Sequence, residues 1–81
     1  MKYNLIFEMQ IVDYNDPYNN VVRDIKYSPK ITTKFEHTIS IDKEPTKELI
    51  NEIIKTMLSN KDNKFEIVSY KYLRTEININ D

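Results

Sequence analysis

The sequence predicts an α+β fold, a four-stranded sheet with one amphipathic helix packed on one face. Two observations carry this reading. Between Thr46 and Leu58 the apolar residues Leu49, Ile50, Ile53, Ile54, Met57 and Leu58 recur at helical spacing, drawing one apolar stripe down a helix. Elsewhere the chain alternates apolar and polar residues with the two-residue period of half-buried strands. The stripe needs a flat apolar surface to lie on, and only the sheet can supply it. The expected order is β-β-β-α-β in a single domain, 1–81, with strands at about 2–13, 20–28, 30–41 and 64–79 and the helix at about 45–60.

The first strand directs Tyr3, Leu5, Phe7, Met9 and Ile11 to the core and Asn4, Glu8 and Gln10 away from it. Asp13 to Asn20 is dense in turn formers, with Asn able to stand in for glycine, and reads as a hairpin loop. Val21 to Tyr27 alternates again, with Val21, Ile25 and Tyr27 as the inner face. Ser28-Pro29 breaks the ladder, because proline has no donor and restricts its predecessor. The next strand sets Ile31, Thr33, Phe35, His37, Ile39 and Ile41 against Thr32, Lys34, Glu36, Thr38 and Ser40, the pattern of an antiparallel strand with one wet face.

Pro45 suits the first turn of the helix, where its missing N–H has no partner to lose. Glu44 and Glu48 lie near the positive end of the helix dipole. Asn60 is the expected left-handed terminator. From Lys64 onward the apolar residues change parity: Phe65, Ile67, Leu73, Ile77 and Ile79 share one, Val68, Tyr70 and Tyr72 the other. Such a strand is central, bulged, or paired in parallel and covered. The element order favours the last, with a right-handed crossover placing it beside and parallel to the first strand in the spatial order 3-2-1-4.

An 81-residue chain with 12 basic and 13 acidic residues, no cysteine and no glycine narrows function mostly by exclusion. The near-neutral balance is neither a nucleic-acid coat nor a dense acidic mimic. Without cysteine there is no disulfide and no thiolate metal site. Without glycine there is no Walker loop, dinucleotide-binding turn or nucleophile elbow. No run of about 18 apolar residues suggests a membrane span, and no leader pattern opens the chain. A cytoplasmic protein without membrane contact is the expectation.

Three groups of side chains could carry chemistry. His37 is the one imidazole, set between Phe35 and Ile39. A general base or pH switch is conceivable there, but a hydrogen-bonded core-edge residue is the commoner outcome. Glu44, Glu48 and Glu52 share helical spacing and read as a solvated face balanced by Lys47 and Lys55. No metal, cofactor or catalytic residue is assigned. The tyrosines are more informative. Tyr70 and Tyr72, with Arg74, Tyr14 and Tyr18, form the expected partner-binding set, since tyrosine and arginine are favoured at interface centres. Tyr70 and Tyr72 are expected on the uncovered sheet face as an apolar patch.

The element order, together with the opening Met-Lys-Tyr-Asn-Leu-Ile-Phe-Glu, resembles the HicB antitoxin fold. The chain lacks the Pro-Gly pair and small-residue helix of that family, so no activity or site residue is carried over.

The functional expectation is a small non-enzymatic binding protein. It is expected to occupy a surface of a larger protein, as a phage or mobile-element inhibitor of a host or defence (CRISPR-type) enzyme, and its size makes a homodimer an added expectation. The alternative is a nucleic-acid or nucleotide-binding module using the same aromatic face, with Lys26, Lys30, Lys64 and Lys71 on the phosphates. An enzyme built on His37 and nearby carboxylates ranks third.

Overall fold

A computed structural model describes residues 1–79. Five elements follow one another: β1 (Lys2–Asp13), α1 (Pro17–Val21), β2 (Thr32–Ile41), α2 (Lys47–Ser59) and β3 (Phe65–Asn78). The strands form one sheet in the order β2-β1-β3, with β1 central and antiparallel to both neighbours. β2 and β3 therefore point the same way at opposite edges, joined through α2.

This corrects the expected architecture in two respects. The sheet has three strands, not four, and its last strand is antiparallel to the first. Both corrections have one cause. Segment 20–28 is not a strand: it holds the end of α1 and a run of turns. Removing one strand removes one reversal of the chain, so β3 reaches β1 travelling the opposite way.

The local chemistry explains the lost strand. Asp16 caps α1 by accepting the Asn19 N–H at 3.2 Å, and Pro17 occupies the first helical position, where its fixed φ is already helical. The tightest hairpin turns need residues at positive φ. This chain has no glycine, and no described residue has positive φ. Reversal between β1 and β2 is therefore spread over residues 14–31, which contain a helical turn. Val21, Ile25 and Tyr27, expected on an inner face, are instead 75%, 50% and 88% exposed.

The mixed parity of β3 is resolved by two bulges. Ile67 faces Ile11 and Ser69 faces Gln10, so Val68 is an extra residue; Tyr72 faces Phe7 and Arg74 faces Ile6, so Leu73 is another. Each extra residue flips the face of the residues after it. As a result Phe65, Ile67, Tyr70, Tyr72, Thr75 and Ile77 all lie opposite the odd-numbered residues of β1. The sequence is apolar on both parities because the strand changes phase twice.

The core is small. Leu5, Phe7 and Met9 of β1 and Tyr70 of β3 are buried together, with Ile11, Ile39, Ile41, Ile50, Ile53, Ile54, Met57 and Ile67 packed around them. No residue of α2 is fully buried. The helix lies closest to β3, and a helix about 10 Å across cannot roof three strands spaced about 4.8 Å apart. β2 is left at the margin, and Phe35 on its inner face stays 40% exposed.

The ends of α2 also differ from expectation. Pro45 precedes the helix, and the cap is Thr46, whose hydroxyl accepts the Leu49 N–H at 3.1 Å. Asn60 ends the helix in an extended conformation, φ −71° and ψ 130°, not a left-handed one. Threonine outcompetes proline here because only it can satisfy a free N–H of the first turn.

Candidate functional site

The connection between β1 and β2 is the best-built irregular part of the molecule. Its centre is Asn19, a fully buried polar side chain. The Asn19 amide donates to the carbonyl oxygens of Asp13 at 3.0 Å and Ile31 at 2.9 Å, while its oxygen accepts the Ile31 N–H at 2.8 Å. One side chain thus ties the end of β1 to the approach of β2, and a buried amide that satisfied is worth keeping.

Two tyrosines brace the same connection. The Tyr18 hydroxyl donates to the Pro29 carbonyl at 2.9 Å. The Tyr14 hydroxyl donates to Glu66 on β3 at 2.8 Å, the Arg23 guanidinium sits 4.3 Å from its ring centre, and its backbone N–H bonds the Lys64 carbonyl. Burial raises the Tyr14 phenol above its ordinary pKa, and the hydrogen bond to Glu66 adds to the rise. The loop is consequently fixed at both ends and in the middle.

The surface this framework presents includes three exposed apolar side chains. Val21, Ile25 and Tyr27 are exposed to solvent, with the Lys26 ammonium 5.6 Å from the Tyr27 ring centre. The backbone of an ordered loop has lost its conformational freedom before it meets a partner, which lowers the cost of binding.

The residues singled out from the sequence do not converge. Tyr70 is on the helix side of the sheet, 4% exposed, stacked on Phe7 at 4.7 Å between ring centres. Its hydroxyl is 2.8 Å from His37 Nδ1, and burial raises its pKa. The phenol and the imidazole share this hydrogen bond, so His37 is a hydrogen-bonded core-edge residue. Tyr72 lies on that same side, edge-on to Phe7 and bonded to the Thr75 hydroxyl at 2.6 Å. The expected aromatic patch on the uncovered face is therefore corrected: both rings face α2, because the Val68 bulge reversed their parity.

Arg74 alone of that trio is on the open face. It reaches over β1 to Glu36 and back to Glu76, both at 3.3 Å, and these carboxylates hold its guanidinium pKa above the ordinary value. Lys71 pairs with Glu8 at 3.4 Å. Of the four lysines expected on phosphates, Lys71 is thus engaged by a carboxylate.

Among the described residues no three His, Asp or Glu side chains cluster so as to hold a metal ion, and no described helix is long and apolar enough to cross a membrane. Tyr14 and Tyr18 do fall in the site, as braces. Sequence reasoning missed Val21, Ile25 and Tyr27 as solvent-facing. The signal for them was the density of Asp, Asn, Ser and Pro on both sides of a short alternating run, which favours a structured loop over a strand.

No family model, no curated protein and no solved structure matches this chain.

Proposed function

We propose that the chain is a non-catalytic protein-binding module whose working surface is the braced loop between β1 and β2. A single observation carries the reading: Val21, Ile25 and Tyr27 are exposed apolar residues on a backbone that Asn19, Tyr18 and Tyr14 hold in place. Long ordered loops on a rigid scaffold are where binding residues concentrate. Tyrosine at the centre of such a patch is among the residue types that contribute most at interfaces. The module acts on a larger protein by covering part of its surface, and inhibition is the effect this implies.

The experiment is a quantitative capture with two baits, the wild-type chain and Ile25→Ala/Tyr27→Ala. The variant is expected to keep the wild-type circular dichroism and melting temperature, because neither side chain is buried, and to lose at least about tenfold in retention of the wild-type partner. Equal retention by both baits, or no protein retained by the wild type, refutes the loop reading. Titration with single-stranded and duplex oligonucleotides at low salt is expected to give no binding, and a steeply salt-dependent signal would favour the nucleic-acid alternative.

A further inference from the structure

We propose that two copies of this chain join through β2, edge to edge and antiparallel about a two-fold axis, to make one continuous six-stranded sheet. The proposal concerns a different surface from the loop and stands without it.

The two edges of the sheet are built differently. β3 carries two bulges within its ladder to β1, and bulges twist an edge out of the regular geometry that a further strand needs. β2 pairs with β1 without a break over ten consecutive residues, from Thr32 to Ile41. It contains no proline and no bulge, and nothing among the described elements is hydrogen-bonded to its outer side. A long regular strand with a free row of N–H and C=O groups is a template for another strand.

The occupant is another copy because the surface is self-complementary. In any two-fold antiparallel pairing centred on a residue, odd positions meet odd and even meet even. Phe35, His37 and Ile39 then stay on the helix side, and Lys34, Glu36, Thr38 and Ser40 stay on the open side. Lys34 and Glu36 are neighbours on that face, so the dyad can set opposite charges across the seam. Joining the copies also brings together the two inner faces of β2 that α2 leaves uncovered.

The area agrees. A folded monomer of 9.8 kDa exposes about 5,200 Å² by the usual scaling; this chain exposes 6047 Å². The excess reflects an elongated outline of 46 × 24 × 18 Å, which leaves more surface for a partner than a compact chain has. Likewise the radius of gyration is 15.4 Å, against about 12 Å for a compact chain of this length.

Sedimentation equilibrium of the full chain tests this. The wild type is expected to sediment at twice the chain mass at micromolar concentration. Phe35→Lys places a charge on the inner face of β2, the device natural edges use against pairing, and should raise the dissociation constant at least about tenfold. Val68→Lys, on the bulged edge, should leave it unchanged. Should Phe35→Lys fail to fold by circular dichroism, Thr38→Lys on the open side of the same strand takes its place. A wild type that is monomeric throughout, or self-association weakened by Val68→Lys and not by the β2 variants, overturns the proposal. Ile25→Ala/Tyr27→Ala should dimerise normally, so loss of the loop's partner and loss of the dimer are separate results.

Discussion

The two edges of this sheet contain the same kinds of residues and have opposite characters. β3 is irregular, backed by α2, and laced by Arg74 and Lys71 to its neighbours. β2 is regular and sits at the margin of the helix. Two inserted residues, Val68 and Leu73, account for much of the difference. An edge strand is kept apart from other chains less by its composition than by the regularity of its backbone.

The most drastic way to break this contrast is to delete Val68 and Leu73 together. The shortened strand keeps Phe65, Ile67, Tyr70, Tyr72, Thr75 and Ile77 on the helix side without a change of phase, so it should still pair with β1. Both edges are then regular, and closed pairs should give way to open-ended assemblies. Light scattering reads the outcome, and an unchanged particle mass would mean that the bulges do not protect β3.

Smaller but cleaner contrasts come from single truncations measured by denaturant unfolding at concentrations too low for association. Tyr70→Ala empties a stacked position in the core and should cost about 3–5 kcal/mol. Asn19→Ala should cost about 1–3 kcal/mol from the unpaired groups of Asp13 and Ile31, with amide exchange rising at the start of β2 and not along β3. The smallest effect is expected for Phe35→Ala, at about 0.5 kcal/mol. Comparable losses for Tyr70→Ala and Phe35→Ala would show that β2 is as well covered as β3.

Much of this architecture was legible in the sequence, for definite reasons. β1 and α2 read clearly because each follows one period from end to end, and Phe7 or Ile53 can lie on only one side. The segment from Val21 to Tyr27 misled because four alternating residues satisfy a strand pattern equally well when they are turns. The turn formers flanking that run and the capping chemistry of Asp16 and Pro17 were the signal that outweighs it. The placement of Tyr70 and Tyr72 failed for another reason. A bulge is invisible to a parity argument, and the inserted Val68 sends every residue up to Leu73 to the other face. That also explains why the expected binding set dispersed, with Tyr70 stacked on Phe7, Arg74 paired with Glu36, and Tyr14 and Tyr18 serving as braces. His37 was readable because its apolar neighbours already located it at the margin of the core.

A backbone with every described φ negative bears on the denatured chain as well as on the native one. An average protein of this length would carry about five or six glycines, and replacing a glycine where the native conformation permits stabilises by about 0.4–1 kcal/mol through the narrower denatured ensemble. The sum, about 2–6 kcal/mol, is comparable to the whole margin of about 4–12 kcal/mol expected for a domain this small. A core of seven buried hydrophobic side chains can suffice when the disordered state has been made this poor in alternatives.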